Sequence, residues 1–199
     1  DSFQYVPQHV LLLFSCEKLI NQLDYVIVGG APGSKNTVDE FLTAFSHTEL
    51  YNMYGTTESF LISCDKCSIN SQMSLGFPLE NVDIQLRYTD NANDADEKIG
   101  RIVVKCPQNM MGYYNDVEQT NRAFDNGYLV LADNGYFDEN GALHFCGRAD
   151  DVINVGGYKI SPIEIEAVAD ESGLVQECIL IKSFDKHNNE YLELLAVPK

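Results

Sequence analysis

The string Tyr54-Gly55-Thr56-Thr57-Glu58 gathers the side-chain types that a phosphorylated, base-bearing ligand can use. An aromatic ring stacks on a flat base, a glycine lets the backbone approach closely, hydroxyls donate to phosphate oxygens, and a carboxylate holds Mg²⁺. Taken alone, the same string is also an ordinary polar turn. Upstream, Gly29-Gly30-Ala31-Pro32-Gly33-Ser34 invites a phosphate-loop reading and fails its spacing, because no Gly-Lys-Ser/Thr follows at the required distance. It is not G-x-G-x-x-G either, so by itself it reads as a turn. A third cluster comprises Gly135-Tyr136-Phe137-Asp138, then Gly147-Arg148-Ala149-Asp150-Asp151-Val152-Ile153-Asn154, then Gly156-Gly157-Tyr158-Lys159-Ile160-Ser161-Pro162-Ile163-Glu164-Ile165-Glu166.

The elements that must position these residues follow from periodicity. Residues 24–28 form a short β-branched strand that empties into the glycine loop. Val38, Phe41, Leu42 and Phe45 then repeat at helical spacing, with Thr37 and Glu40 in capping-box register. A short strand is predicted over 49–53, ending in the polar string that starts at Tyr54. This strand, loop, helix, strand order is α/β organisation. From about Gly76 the pattern turns β-rich: Val82, Ile84, Leu86 and Tyr88 alternate, 99–105 forms another strand, a short helix covers 117–124, and a hairpin turns at Asp138-Glu139-Asn140-Gly141 before a strand over 142–146. Beyond Arg148 the sequence predicts a strand over 152–155, a Gly156-Gly157 turn and a helix started by Ser161-Pro162 with a second capping box at Glu164. That helix ends near Gly173, and strands follow over 175–182 and 191–197.

Composition narrows the function classes. The 199 residues carry 13 Lys+Arg against 30 Asp+Glu, a net charge of −17, which repels nucleic-acid backbones and anionic lipid surfaces. Hydrophobic residues at 45% and charged residues at 22% describe a folded globular chain. The apolar run Val10-Leu11-Leu12-Leu13-Phe14 is far shorter than the roughly 20 residues that span a bilayer, and no Lys or Arg precedes it as a secretory signal would require. The six cysteines read as free thiols in a reducing compartment, so the expected location is cytoplasmic. Cys64-Asp65-Lys66-Cys67 has no second pair to complete a zinc site, the acidic stretch 90–97 lacks an EF-hand pattern, and the four histidines have no mutual metal spacing. Lys159 and Lys182 read as surface charges.

In order and spacing, the three clusters resemble the adenylate-forming ligase superfamily, which includes acyl-CoA synthetases, nonribosomal-peptide adenylation domains and firefly luciferase. The resemblance runs from about Val26 to the C-terminus, and the Gly147-Arg148-Ala149-Asp150-Asp151-Val152-Ile153 block is its most specific part together with 157–166. It implies an α/β fold: the end of a large AMP-binding N-terminal domain, with α/β (1–75) and β-rich (76–149) parts, followed by the start of a small α+β C-terminal domain over 150–199.

The resemblance also implies roles. Gly30, Ala31 and Pro32 match the loop along the adenine and acyl pocket, Tyr54 the ring that stacks on adenine, and Gly55 its close-approach neighbour. Thr57 would bond the α-phosphate and Glu58 would hold Mg²⁺. Asp133 matches the aspartate on the ribose hydroxyls, Arg148 an arginine near ribose and phosphate, and Asp150 the hinge of the small domain. Gly157 matches the glycine beside the pantetheine thiol. The implied reaction joins ATP and a carboxylic acid, fatty or aryl, into an acyl-adenylate, then transfers the acyl group to coenzyme A with release of AMP. A carrier-protein acceptor and a non-catalytic nucleotide-binding module are the alternatives, with Lys159 tilting toward coenzyme A because the peptide-synthetase version commonly has Arg there.

This sequence departs from the family pattern at Leu131-Ala132-Asp133, where Thr-Gly-Asp is usual, at Gly100-Arg101 for Gly-Glu, and at Asn154 for lysine. Nothing before Gly29 resembles the family's Ser/Thr/Gly-rich loop ending in Pro-Lys, and its C-terminal catalytic lysine has no counterpart. The segment by itself is therefore expected to lack adenylation activity.

Overall fold

A computed structural model describes residues 4–5, 17–30, 35–71, 73–88, 98–156 and 158–198. Val26 and Val28 alternate with more exposed neighbours along β2 (Tyr25–Gly29), so one face of that strand is dry. Three parallel strands, β1 (Gln4–Tyr5), β2 and β3 (Glu49–Thr56), continue into the antiparallel β4 (Phe60–Lys66) and β5 (Phe77–Pro78) in the order β1-β2-β3-β4-β5. Helix α1 (Glu17–Ile20) precedes β2, and α2 (Lys35–Ala44) crosses between β2 and β3. Val38 and Phe41 of α2, with Phe45 just beyond it, bury against Ile20, Leu23, Val26, Val28 and Leu50. The α/β order read from the sequence is present. The helix, however, begins at Lys35, which places Thr37 inside its first turn rather than at its cap.

The second sheet is antiparallel, in the order β10 (Leu143–Arg148), β9 (Tyr128–Phe137), β7 (Gly100–Lys105) and β6 (Asp83–Arg87). Helix α3 (Val117–Ala123) lies before the short β8 (Phe124–Asp125), which pairs with β9. Asp116 caps α3 by accepting a hydrogen bond from Gln119 N at 2.8 Å. The hairpin read at 138–141 implies an arm before the turn, but the length of β9 is not read from the sequence, because its centre, Asp133-Asn134-Gly135, has turn composition. The chain stays extended there by absorbing the misfit in bulges: Ile102 faces the stretch 131–133 across β7, and the register to β10 shifts between Phe145 and Arg148.

The two sheets share a core. Tyr54 and Ile62 belong to strands of the first sheet yet pack with Ile84, Ile102, Val104, Leu129, Leu131 and Leu143 of the second. Backbone bonds from Leu75 N to Leu143 O (2.7 Å) and from Leu143 N to Gly76 O (2.9 Å) stitch the same seam.

C-terminal to β10, β11 (Ile153–Val155) pairs with β12 (Tyr158–Ile160), and α4 (Pro162–Glu171) leads to the hairpin of β13 (Val175–Phe184) and β14 (Glu190–Pro198). Pro162 opens α4 as expected. Ser161 does not close the capping box: its hydroxyl donates to Cys146 O at 3.2 Å instead and fastens the helix start to β10. Lys182 is a surface charge as expected, and its ammonium donates to Asn154 O at 3.0 Å and pairs with Glu190 at 2.5 Å. The apolar run 10–14, the acidic stretch 90–97 and Cys16 lie outside the described residues. Cys64, Cys67, Cys106, Cys146 and Cys178 are free thiols, and burial, aided by Asp65, pushes Cys67 up to about 12. Among the described residues no helix is long and apolar enough to cross a membrane.

Ile62 is 0% exposed at the seam, so Ile62→Ala is expected to destabilise the protein by about 2–5 kcal/mol, whereas Ile69→Ala, at a half-exposed site, should stay within about 0.5 kcal/mol. Urea unfolding of both variants checks this. Asp138 closes the β9–β10 turn through backbone bonds from Ala142 N and Asn140 N, both 2.9 Å, and sits 3.2 Å from His144 Nε2. These contacts, the Ala142 bond foremost, hold its carboxyl below the ordinary 3.8. The stabilisation is therefore complete above the unfolded value and is lost as pH falls through the lower folded value. Asp138→Ala should flatten that acid limb when urea midpoints are measured against pH.

Candidate functional site

Residues 54–58 do not form a free loop. Strand β3 runs through Thr56, so Tyr54, Gly55 and Thr56 are strand residues, and Thr57 and Glu58 occupy the tight turn into β4. The register between the strands shifts at Tyr54/Gly55. Only glycine fits there: a Cβ on residue 55 would lie 1.9 Å from the Phe60 carbonyl oxygen. Inside the turn, the hydroxyls of Thr56 and Ser59 share a hydrogen bond of 3.1 Å, and Ser59 is fully buried. The turn is thus braced from within while Thr57 faces solvent and Glu58 is half-buried.

Tyr54 carries its ring into the second sheet's core, with 9% of its surface exposed. Its hydroxyl donates to Asp133 Oδ2 at 2.5 Å, across 79 positions of sequence. Burial raises the Tyr54 phenol far above its usual range, the Asp133 charge and the accepted bond add to it, and Arg148 offsets them only in part. The phenol stays a proton donor throughout the physiological range. Asp133 and Arg148 are Cα partners on β9 and β10, and Ala149 N donates to Ala132 O at 2.8 Å beside them. The bulge that frees Asp133 also frees the Leu131 carbonyl, which accepts a bond from the Arg101 guanidinium. The Arg101 departure therefore serves the strand irregularity that aims Asp133.

A second segment reaches the turn from the β-rich sheet. Met110 N donates to Glu58 O at 2.6 Å and the Tyr113 hydroxyl donates to Glu58 Oε1 at 3.0 Å. Neither residue stands out in the sequence; Gly112-Tyr113 before a capped helix is the only signal. Arg148 and Asp150 are exposed, and Asp150 lies in the turn that Asp151 N closes on Arg148 O at 3.2 Å. Gly30 ends the described part of its loop, while Ala31, Pro32 and Gly157 lie outside the described residues. The structure thus brings Tyr54, Gly55, Thr57 and Glu58 onto one hairpin and joins it to Asp133, with Arg148 alongside.

Among the described residues no three His, Cys, Asp or Glu side chains converge as a metal cage. Glu58 alone suits Mg²⁺, which keeps most of its waters and binds through one or two carboxylates plus ligand phosphates. Hydroxyls, one carboxylate and a nearby guanidinium suit a phosphorylated ligand more than a neutral one.

The chain belongs to the AMP-binding enzyme family, whose profile matches residues 1–114. It is 30% identical over 188 residues to a long-chain-fatty-acid–CoA ligase of Salmonella typhimurium, covering 92% of this chain and 34% of that protein. Its fold superposes on o-succinylbenzoate coenzyme A synthetase from Bacillus subtilis, solved with ATP and magnesium ion, with TM-score 0.76 and 25% identity over 99% of this chain and 41% of that one. The amide bond synthetase McbA from Marinactinospora thermotolerans shares the fold at TM-score 0.81, 24% identity and 99% coverage of this chain, which spans 41% of it. The chain spans well under half of each of these proteins.

Tyr54→Phe removes the side-chain bond that ties the hairpin to Asp133 on β9. The expected cost is about 1–3 kcal/mol in unfolding free energy, read by urea denaturation of the natural polypeptide.

Proposed function

We propose that the complete protein containing this chain is an AMP-forming acid:CoA ligase acting on a fatty or aryl carboxylic acid. The observation that carries the reading is the braced β3–β4 turn, which presents Thr57 and Glu58 and is tied through Tyr54 to the paired strands β9 and β10 that hold Asp133 and Arg148. In the first half-reaction a carboxylate attacks the α-phosphorus of ATP and diphosphate leaves. Negative charge accumulates at that phosphorus, and donors fixed in advance stabilise it more than mobile water does. Thr57 supplies a hydroxyl donor at the turn, Arg148 a permanent positive charge, and Asp133 an acceptor for sugar hydroxyls. Tyr54 holds Asp133 from behind. Mg²⁺, held through Glu58, supplies charge neutralisation of the phosphates.

In the second half-reaction the thiol of coenzyme A displaces AMP from the acyl-adenylate. The exposed Asp150 lies in the turn after β10, where a change of backbone angles would swing the elements that follow, and this supports the hinge role. Domain limits near 75/76 and 149/150 belong to the same proposal. Relatives named as CoA ligases favour coenzyme A over a carrier protein as acceptor, and free thiols fit a cytoplasmic setting.

In the complete polypeptide, Glu58→Ala should lower acid-dependent exchange of diphosphate into ATP by on the order of 10²-fold or more with little change in thermal midpoint. Full exchange in that variant overturns the reading, and thioester formation with a carrier protein but not with coenzyme A moves the acceptor to the alternative branch.

A further inference from the structure

We propose that Tyr113 is a positioning residue that presets the Glu58 carboxylate for a divalent cation, an inference that rests on the function proposed above. Glu58 lies in the turn between β3 and β4, outside the ladder that orders its neighbours. Two bonds from the segment 110–113 fix it: Met110 N holds its carbonyl at 2.6 Å, and the Tyr113 hydroxyl holds Oε1 at 3.0 Å. The first fixes the backbone, the second the side chain. A glutamate carboxylate offers two oxygens, so a phenol on Oε1 leaves Oε2 for a cation while removing the rotamer freedom that binding would otherwise have to freeze.

Tyr113 is itself held from behind. Its N–H donates to Thr120 Oγ1 at 2.9 Å, and that hydroxyl donates to Asp116 O at 2.7 Å in the first turn of the capped helix α3. Gly112 permits the arrangement, since a Cβ there would lie 2.7 Å from Thr120 Cγ2 and its φ is +153°. On the far side of the turn, Gln108 Nε2 donates to Leu61 O at 3.0 Å. Tyr113 is half-buried, whereas its chain neighbours Met111 and Tyr114 are 101% and 93% exposed. The Thr120 bond fixes the Tyr113 backbone, and the bond to Glu58 engages its hydroxyl.

The test uses the complete natural polypeptide, with Mn²⁺ as the probe of cation binding in the presence of ATP, followed by electron paramagnetic resonance. Tyr113→Phe should weaken Mn²⁺ binding by about tenfold or more, the loss expected for one hydrogen bond to a charged group. The Mg²⁺ concentration giving half-maximal diphosphate exchange should rise by the same factor, with kcat at saturating Mg²⁺ within about twofold of wild type. A merely structural role would instead lower kcat or the thermal midpoint and leave the metal dependence unmoved, and that result overturns the proposal. Thr120→Val, which unfastens Tyr113 from α3, should shift the metal dependence in the same direction, while Thr120→Ser should restore it; wild-type Mn²⁺ affinity in both Tyr113→Phe and Thr120→Val also overturns it. Glu58→Gln separates the two levels of the argument. If Glu58→Gln loses Mn²⁺ binding while Tyr113→Phe does not, only the positioning role falls; if Glu58→Gln binds Mn²⁺ and exchanges diphosphate as wild type does, the proposed function falls with it.

Discussion

One tyrosine holds the two sheets in register. The Tyr54 backbone is a rung of β3 in the first sheet, its ring is part of the second sheet's core, and its hydroxyl ends on Asp133 of β9. A phenol is suited to this because its apolar body can be buried at the seam while its polar tip finds an acceptor. Burial also keeps the phenol protonated, so the bond to the carboxylate does not weaken as pH rises through the physiological range. The bond is short and its donor is rigid, which limits how far the β3–β4 turn can move relative to β9.

Regular strands alone could not make this junction. A perfect ladder alternates side chains between faces, and Asp133 points toward Tyr54 in a strand whose pairing is interrupted on both sides. The interruptions leave backbone groups to be satisfied, and Arg101 answers one of them at the Leu131 carbonyl. On the other strand the register slip at Gly55 brings the Phe60 carbonyl so close that no side chain can stand there. Irregularity is thus concentrated around Tyr54, Gly55 and Asp133, where the adenylate-forming reading places its contacts, while Val26, Val28 and Val104 lie in ordinary buried strands. Backbone misfit of this kind is retained where side chains must be aimed, and the surrounding core over-determines it.

The legible parts of the sequence were those with strong local signals. Helix α2 follows from Val38, Phe41 and Phe45, the β9–β10 turn from Asp138 to Gly141, and the start of α4 from Pro162, all within a turn or two of the chain. The string 54–58 was legible as chemistry but not as conformation: its polar residues read as a loop, and the structure makes most of them strand and turn because β4 is there to pair with. The length of β9 is hidden for the same reason, since Asp133-Asn134-Gly135 has turn composition and partners on both sides keep it extended. Ser161 shows the converse failure, a correct local cap signal overridden when Cys146 offers its carbonyl nearby. Tyr113 could not be read at all, because its meaning lies in Glu58, far away in sequence, and a Gly-Tyr pair before a helix carries no period or spacing.

Charge explains why so few residues can suffice at this site. With a net charge of −17 the chain repels polyanions at long range, yet at physiological ionic strength that repulsion is screened beyond about 8 Å. A basic surface, the usual means of holding a nucleic acid, is therefore absent in composition, and any anionic ligand must be held by contacts made within the screening distance. In the function proposed above, the β3–β4 turn and the β9–β10 edge would supply such contacts through Thr57, Arg148 and a cation held by Glu58. A divalent cation then contributes more than coordination: it cancels ligand charge that the surrounding acidic protein would otherwise oppose. A carboxylate at Glu58 looks at first like a second source of repulsion toward phosphate, but it becomes favourable once a cation sits between the two, and the same acidic environment that excludes free polyanions favours the arrival of that cation.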